Sequence, residues 1–335
     1  MPETLPTVSA VINNRNYGRF LGHAIESVLA QRYPSGRIEL VVVDDGSTDG
    51  SRRVIESFAG RVKPVYQERG GQAAAINAGV RAATGEIVCL LDSDDWWRED
   101  KVSRVVERFR GEPDLGMVQH WCLEVDSALR PVPGRVPEAP PVYRLEDFLK
   151  GRTYFTGTTG LSFRREILRS VGPIPAGLDF CADEYLYTHA VFFAPVGTIL
   201  SLLAWRRVHG SNLYAGLYRD PERLAERRRV RAILDSELDR LLRSRGLAFA
   251  EGEARRRRAE ALQEELFLRR YRGQWALAFA VWGELGRTLG GGYRWFKQAT
   301  LLLALAAPVL YFGALGLYAR CQALVGMRRR ILKEG

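Results

Sequence analysis

Short apolar runs alternate with amphipathic segments along the first part of the chain. The runs are rich in Val, Ile and Leu, as expected for strands that are buried on both faces of a sheet. The segments between them place apolar residues at helical spacing, and Pro or Gly often follows their ends. The pattern predicts strands at 7–12, 38–43, 62–66, 87–91, 116–125 and 196–203, and helices at 19–31, 50–58, 72–83 and 98–110.

Alternation of strands and helices at this spacing predicts an α/β fold. We expect a mostly parallel sheet, flanked by helices and joined by right-handed crossovers. The later part of the chain shows only helical spacing, which predicts an all-helical extension with helices at 221–243 and 253–271 and a turn at 271–278 that leads into a third. We therefore expect an α/β domain at 1–218, a basic helical region at 219–293 and an apolar helix with a basic tail at 294–335.

Two of the predicted strands end in clusters of carboxylates. The second strand runs into Asp44 and Asp45, and the fourth runs into Asp92, Asp94 and Asp95. Open α/β sheets bind their ligands at these carboxyl ends of the strands. Carboxylate oxygens suit Mg²⁺ or Mn²⁺, which usually also takes substrate phosphates as ligands. A D-x-D sequence by itself is more often a solvated acidic turn than a metal site, so the choice depends on the rest of the chain.

Several protein classes are disfavoured by what the chain lacks. No G-x-G-x-x-G follows a strand, as the usual dinucleotide fold requires, and no G-x-x-x-x-G-K-[ST] loop indicates a P-loop kinase or ATPase. Cys89, Cys122, Cys181 and Cys321 lie far apart without metal-binding spacing, so we expect reduced, structural thiols. The short polar start has no signal-peptide pattern, which favours a cytoplasmic location.

The positive charge of the chain is concentrated in its C-terminal third. The net charge is +10; residues 219–272 hold 16 arginines against 11 acids, and residues 294–335 hold 7 basic residues against 1 acid. Such an excess suits nucleic acid or an anionic membrane surface. We find no aromatic-rich RNA motif and no zinc finger, so we expect a membrane and no nucleic acid. The arginine runs at 227–229 and 255–258 suit either a solvated helix face or binding to lipid phosphate.

The segment 299–318 is long and apolar enough to reach across a bilayer. It has 20 residues without a charged side chain, and a span needs about 20. A simple span would carry Arg320, residues 328–330 and Lys333 away from the cytoplasmic side, against the positive-inside tendency. Pro308 permits a kinked helix that returns to the same side. A span, a re-entrant or in-plane helix and a helix buried in a soluble bundle all remain open.

A series of polar motifs occurs in order between Thr7 and Asn212, at the ends of predicted strands or the starts of predicted helices. The main ones are Asn13-Asn14, Asp44-Asp45-Gly46-Ser47, Gly70-Gly71-Gln72, Asn77-Ala78-Gly79, Asp92-Ser93-Asp94, Asp183-Glu184 and His209-Gly210-Ser211. Any one of them has a structural explanation; acids in the first turn of a helix, for example, are favoured by the helix dipole. The ordered set resembles family 2 glycosyltransferases, which have the GT-A fold, over nearly two thirds of the chain.

The resemblance implies roles for the residues at matching positions. It implies a nucleotide-sugar site formed by Asn13, Asn14, Asp45, Gly46, Ser47, Gln72, Asn77, Asp92 and Ser93. It implies that Asp92, Asp94 and His209 hold Mn²⁺ or Mg²⁺ on the diphosphate. The general base would be Asp183 or Glu184, with Asp183 preferred from the alignment of the apolar residues that follow. The turn after the first strand departs from the family, since it lacks a tyrosine that stacks on the base. Asp95 matches no family role, and we expect it to cap the next helix.

These roles together imply a metal-dependent, inverting glycosyltransferase. The enzyme would move a sugar from a nucleoside-diphosphate sugar to a glycan or lipid-linked acceptor, in surface-glycan assembly at the cytoplasmic face of the inner or plasma membrane. A cation would offset the charge on the leaving diphosphate, and one carboxylate would take the proton of the acceptor hydroxyl. Two alternatives stay open: transfer to a polyprenyl phosphate, and a nucleotide-sugar-binding scaffold without turnover.

Overall fold

The chain folds into a sheet covered by helices on both faces, followed by further helices. The computed structural model describes residues 5–132, 139–209, 220–289 and 293–306. The strands are β1 Val8–Asn14, β2 Ile38–Asp45, β3 Lys63–Gln67, β4 Ile87–Asp92, β5 Trp96–Trp97, β6 Met117–Val125, β7 Val142–Tyr143, β8 Leu161–Arg164 and β9 Val196–Arg207. The helices are α1 Gly18–Leu29, α2 Ser51–Ser57, α3 Gly71–Ala82, α4 Lys101–Gly111, α5 Leu145–Leu149, α6 Arg165–Val171, α7 Ala182–Ala190, α8 Pro221–Ser244, α9 Glu251–Tyr271, α10 Trp275–Thr288 and α11 Tyr293–Ala306, with a 3-10 turn at Thr158–Gly160.

The described strands form one sheet in the order β3-β2-β1-β4-β8-β6-β9-β5, and β7 pairs with β9. Strands β1 to β4 are parallel to one another and β6 is parallel to β9, whereas β8 runs antiparallel between β4 and β6. The mostly parallel sheet predicted from the sequence is confirmed. Because β1, β2 and β4 are parallel, their acidic and amide-bearing ends lie side by side at one edge.

Two predicted boundaries differ from the observed ones for a single reason. Trp96 and Trp97 form β5, which pairs antiparallel with the end of β9 at Trp205 and Ala204. This pairing extends β9 to Arg207, past the predicted end at residue 203, and delays the start of α4 to Lys101. A two-residue strand leaves too short a pattern to be recognised in the sequence.

Buried apolar side chains pack on both faces of the sheet. Helices α1, α2 and α4 cover one face, where Ile25, Ile55 and Val105 are at most 1% exposed. Helix α3 covers the other face so closely that a Cβ atom on Gly79 would lie 2.3 Å from Val11 Cγ1. Each buried aliphatic side chain contributes about 1.5–3 kcal/mol relative to an exposed one. The strand ends that hold the polar motifs are therefore held in place by a continuous core.

Most of helix α8 packs on the core of the α/β domain, while Leu224 in its first turn packs with α9 and α10 in a second apolar cluster. Its buried residues Val230, Leu234, Leu238 and Leu242 belong to the apolar cluster that includes Val11 on β1. The predicted domain boundary at residue 218 lies outside the described residues. The helix that follows it is nevertheless part of the packing of the α/β domain.

The arginine runs of α8 and α9 are largely paired with acids of the same helical region. Arg227 contacts Glu264 at 2.7 Å, and Arg228 contacts Glu265 at 2.7 Å. Arg256 and Arg257 both reach the buried Glu253. These pairs leave less free positive charge on α8 and α9 than the sequence suggests.

No helix within the described residues is long and apolar enough to cross a bilayer. Helix α11 contains the start of the predicted apolar segment 299–318. Residues 307–318 and the basic tail lie outside the described residues, so the three alternatives for this segment stay predictions.

Candidate active site

A cavity of about 980 Å³ lies at the edge of the sheet where β1, β2 and β4 end. It brings together most of the residues that the sequence analysis singled out. The predicted site residues that line it are Asn13, Asn14, Asp45, Gln72, Asp92, Ser93, Asp94, Asp183 and Glu184. Gly46, Ser47, Asn77 and His209 do not line it, and their positions are described below.

The end of β4 places two carboxylates in the cavity. Asn13 Nδ2 donates to Asp92 Oδ1 at 3.0 Å, and the Asp92 backbone amide donates to Thr159 Oγ1 at 3.3 Å. Burial, followed by the negative charge of Asp94, raises the pKa of Asp92 to about 7. Asp94 Oδ2 lies 3.1 Å from His209 Nε2, which places this histidine directly behind the second carboxylate.

Asp95 does not cap α4, as we had expected from the sequence. Its side chain points into the protein, where it accepts hydrogen bonds from the Arg207 backbone amide at 2.9 Å and from Thr159 Oγ1 at 2.5 Å. The residue is 3% exposed, and burial followed by the charge of Asp94 raises its pKa well above the ordinary value. Asp95 therefore ties the end of β4 to β9, because β5 turns the chain back before α4 begins.

A divalent cation fits the chemistry of these carboxylates. Asp92 and Asp94 are two hard oxygen donors; burial and then the charge of Asp94 raise the pKa of Asp92, and a cation offsets both effects because it stabilises the ionised carboxylates. In the described ranges no group of three or more His, Cys, Asp or Glu side chains is arranged to hold a metal. Mg²⁺-type sites commonly use one or two carboxylates and complete their shell with substrate phosphates and water. The residues present therefore suit a cation that is bound together with a phosphate ligand.

The end of β2 is built around the carboxylate of Asp45. Its Oδ1 accepts from Gln67 Nε2 and the Gly70 amide, both at 2.7 Å, and its Oδ2 accepts from the Gly71 amide at 2.9 Å. Asp45 thereby holds the start of α3 against the sheet, and little of its acceptor capacity is left for a ligand. Gly46 follows with φ of +64°, and a Cβ atom there would lie 2.8 Å from the Arg69 amide, so this turn requires glycine.

The end of β1 presents two asparagines with unused acceptors. Asn13 Oδ1 and Asn14 Oδ1 are buried and have no hydrogen-bond partner. The Asn14 amide nitrogen donates to Asp44 and to Ser47 Oγ, both at 3.2 Å. Ser47 Oγ also donates to Asp44 and accepts from the Asn16 amide, so it shapes the turn rather than the cavity. A buried acceptor without a partner is costly and marks a place where a ligand donor fits.

Gln72 and Asn77 lie on the same helix but have different surroundings. Gln72 lines the cavity, and its Oε1 accepts from the Ala182 amide at 3.0 Å, which ties α3 to the start of α7. The Asn77 side chain donates to the Ile174 carbonyl at 2.8 Å and accepts from the Ile174 amide at 2.9 Å. The structure thus gives Asn77 the task of anchoring the segment before α7, because it lies one and a half turns further along α3.

The acids at the start of α7 have separate partners. Asp183 Oδ2 accepts from the Thr158 amide at 2.9 Å, and burial followed by the charge of Glu184 raises the Asp183 pKa. Glu184 Oε1 lies 2.5 Å from Arg231 Nη1 on α8. Cys181, the residue before α7, has φ of +57°, a strained conformation for a residue other than glycine. This backbone turn directs the first turn of α7 toward the cavity.

Several polar residues of the cavity were not found from the sequence. Five arginines line it, namely Arg15, Arg19, Arg69, Arg206 and Arg207. Tyr17 also lines it, and burial followed by the charge of Asp94 raises its pKa to about 12. Arginines are frequent throughout this chain, and only the folded arrangement shows which of them face acids and ligands. Tyr17 directly follows the turn that lacks the family tyrosine. This position was the sequence signal that could have identified it.

Comparison with known proteins agrees with this geometry. Residues 9–172 match the family model of glycosyl transferase family 2. An uncharacterized glycosyltransferase of Nostoc sp. is 38% identical over 217 residues, which cover 61% of this chain and 66% of that protein. The match thus spans just under two thirds of that relative.

Two solved structures share the fold. S. aureus TarS in complex with UDP-GlcNAc has a TM-score of 0.59 and 17% identity, covering 96% of this chain and 89% of that one. The mannosyltransferase PcManGT of Pyrobaculum calidifontis, in complex with GDP-Man and Mn²⁺, has a TM-score of 0.54 and 20% identity, covering 100% of this chain and 89% of that one. The mixed α/β sheet of this chain is therefore of the GT-A type.

Proposed function

We propose that this chain, which belongs to glycosyl transferase family 2, transfers a sugar from a nucleoside-diphosphate sugar to an acceptor hydroxyl. The observation that carries the proposal is the meeting of two acidic groups in one cavity. Asp92 and Asp94 enter it from the end of β4, and Asp183 enters it from the start of α7. One group suits a diphosphate bound through a cation, and the other suits proton removal from an acceptor.

The donor would lie along the ends of β1, β2 and β4. Asn13 Oδ1 and Asn14 Oδ1 are free to accept hydrogen bonds from its base or ribose. Asp45, Gln72 and Ser93 line the same cavity. Asp45, together with Gly46 and Ser47, also supports the turns around it. We propose that these residues serve nucleotide binding, some by contact and some by shaping the loops.

Asp94 and Asp92, with His209 behind Asp94, would hold Mn²⁺ or Mg²⁺. When bound, the ion offsets the negative charge that develops on the leaving diphosphate. Arg206 supports the same end of the reaction, since its positive charge acts on Asp92 and partly offsets the rise in the Asp92 pKa that burial and Asp94 cause. The Mn²⁺ in the PcManGT structure is consistent with this part of the proposal.

Asp183 would act as the general base. Its Oδ2 is oriented by the Thr158 amide, and Glu184 beside it is engaged with Arg231. A single base that removes the acceptor proton, opposite the leaving diphosphate, gives single displacement with inversion. A glycan hydroxyl is the proposed acceptor, because a hydroxyl needs this base and a phosphate oxygen does not.

The proposal is tested by a panel of UDP-, GDP- and dTDP-sugars incubated with the protein and Mn²⁺. The expected result is release of the nucleoside diphosphate with one or a few sugars, by slow hydrolysis or by transfer to added glycans. Binding of these compounds without any release would instead support a scaffold without turnover. Absence of both binding and release would contradict the proposal.

We also propose that the protein works at an anionic membrane surface, on its cytoplasmic face. The first half of α10 exposes Trp275, Leu277 and Phe279, each between 45% and 51% exposed. Arg270 stacks over the Trp275 ring at 5.4 Å, so cation and aromatic ring lie together as in interfacial helices. The net positive charge of residues 294–335 supports the same surface.

Sedimentation with vesicles tests this part. Binding to phosphatidylglycerol vesicles, with weaker binding to phosphatidylcholine vesicles and a loss on changing Trp275 and Phe279 to Ser, is expected. Equal recovery in the supernatant with both lipids would contradict it. The change Leu29→Ser on α1 is a control, because Leu29 is also exposed, at 38%, but lies on the α/β domain.

A further inference from the structure

We infer that Arg231 of α8 is a positioning residue for the transfer reaction, because it holds Glu184 and leaves Asp183 as the acid that acts on the acceptor. The residue lies outside the part of the chain that matches the family model, which ends at residue 172. The inference rests on the proposed function, since it assigns a task within that reaction.

The contact between Arg231 and Glu184 is short and shielded. Arg231 Nη1 lies 2.5 Å from Glu184 Oε1, and the two side chains are 26% and 18% exposed. At such exposure an ion pair is screened less by solvent than a surface pair. Arg231 lies on α8, the helix next to α7 in the fold, so the ion pair joins α8 directly to the start of α7.

Glu184 is the immediate neighbour of the proposed base. An anionic Glu184 disfavours a second negative charge on Asp183, and its charge already acts in that direction. Other charged groups near Asp183, within the described residues, include Asp92 at the end of β4 and Arg206 on β9. Arg231 is the cation that faces Glu184 from α8, where it also neighbours Asp235. Losing the Arg231 charge would therefore act on Asp183 through Glu184.

Helix α8 contributes more than one contact to this wall of the cavity. Arg229 Nη2 lies 3.1 Å from Asp179 Oδ2, and both Asp179 and Glu226 line the cavity. Val230 and Leu234 pack into the core, and this packing fixes the position of the polar residues of α8 relative to the cavity. The C-terminal region thus completes the acceptor side of the site, and Arg231 is its contact closest to the base.

Four variants separate a positioning role from a merely structural one. They are Arg231→Met, Arg231→Lys, the double variant Arg231→Met/Glu184→Gln, and the control Arg228→Met. Arg228 lies on the same helix and pairs with Glu265 at 2.7 Å, with exposures of 30% and 19%, but it faces α9. The control thereby separates the effect of losing any comparable ion pair from the effect of losing the pair beside Asp183. The values of kcat and KM are measured with the nucleotide sugar that the panel selects.

We expect Arg231→Met to move the acid limb of kcat up by about one pH unit, since an uncompensated neighbouring carboxylate raises the pKa of the base by about one unit. On the acid side of that limb, kcat should therefore be about tenfold below the wild-type value. KM for the nucleotide sugar should change less than about twofold, because the donor contacts are untouched. Arg231→Lys should recover most of the loss. The double variant should return kcat to within about threefold of the wild type, because the unpaired charge is gone.

Two results would overturn the inference. One is a double variant no better than Arg231→Met, and the other is an equal loss in Arg228→Met and Arg231→Met. If the wild type releases no nucleoside diphosphate from any sugar, the proposed function fails. The role of the Arg231–Glu184 pair is then tested by a measurement that needs no turnover. An NMR titration of ¹³C-labelled aspartate, with Asp183→Asn for assignment, should then show a higher pKa of Asp183 in Arg231→Met and its reversal in the double variant. An unchanged titration would overturn the inference in that case too.

Discussion

The two acidic groups of the cavity differ in which positive groups compensate their negative charge. At the start of α7, Glu184 has an arginine of the same chain at 2.5 Å, and Asp183 is left to accept from a backbone amide. At the end of β4, the pair of Asp92 and Asp94 has His209 at 3.1 Å from one member, and burial followed by repulsion from Asp94 raises the pKa of Asp92 to about 7. One group is compensated within the fold, and the other is suited to a cation that arrives with substrate.

This difference explains how one cavity can hold acids with opposite tasks. A base needs one carboxylate with an open face, and its neighbour must not compete for the proton. In a diphosphate site that uses a cation, the carboxylate oxygens and the phosphate oxygens repel one another. The bound cation holds them together. The location of the compensating charge, on α8 or on an external ion, is what separates the two.

The largest effect is expected from Asp183→Asn. The variant keeps the side-chain shape but cannot accept the acceptor proton, so kcat should fall about 10²- to 10⁴-fold. Turnover is measured as nucleoside diphosphate released in the presence of acceptor. Glu184→Gln is the matched neighbour and should lose far less. A larger loss in Glu184→Gln would exchange the two assignments, and full activity in Asp183→Asn would favour a phosphate acceptor that needs no base.

A somewhat smaller effect is expected at the other acidic group. Asp94→Asn should lower kcat/KM about 10²- to 10³-fold, in keeping with the loss of one preorganised charge contact. EDTA should abolish activity of the wild type, and Mn²⁺ or Mg²⁺ should restore it. Asp100→Asn is the control, since Asp100 pairs with Arg98 near the surface. Full activity in EDTA would contradict the cation at β4.

The pH dependence of kcat is expected to reflect the raised pKa of Asp183. A base works when deprotonated, so activity falls as pH drops through its pKa. Burial and the charge of Glu184 raise the pKa of Asp183, and the acid limb of kcat should therefore lie above the value of about 3.9 for an ordinary aspartate. The limb should vanish in Asp183→Asn. An acid limb at or below the ordinary value would contradict this assignment.

The smallest effect on activity is expected from Asn77→Ala. The change leaves the amide and the carbonyl of Ile174 without their partner, and the free energy of unfolding should fall by about 2 kcal/mol. Urea unfolding measures this loss, and KM for the nucleotide sugar should stay within about twofold. Ser57→Ala removes an exposed hydrogen bond and serves as the control. A large rise in KM without loss of stability would return Asn77 to the nucleotide site.

The donor side of the site followed readily from the sequence. The strands before Asp45 and Asp92 are apolar runs, and parallel strands bring their carboxyl ends to one edge of the sheet. Local pattern therefore predicts both the strands and the acids that follow them. The placement of Asn13 and Asn14 beside these acids follows from the same rule.

Other parts of the site depend on contacts between distant parts of the chain. The pairing of Asp95 with Arg207, and of Glu184 with Arg231, joins residues far apart in sequence. Nothing in the pattern of α8 distinguishes Arg231, which faces α7, from Arg228, which faces α9. Asn77 and Gln72 lie on the same helix, and a shift of five residues decides which of them reaches the cavity.

The most direct test of the division of tasks is nucleotide binding in the two aspartate variants. Calorimetric titration of UDP and of GDP, with and without Mn²⁺, compares the wild type with Asp94→Asn and Asp183→Asn. We predict that Mn²⁺ strengthens binding to the wild type and to Asp183→Asn, and that Asp94→Asn loses this enhancement. Equal loss in both variants, or full enhancement in Asp94→Asn, would contradict it.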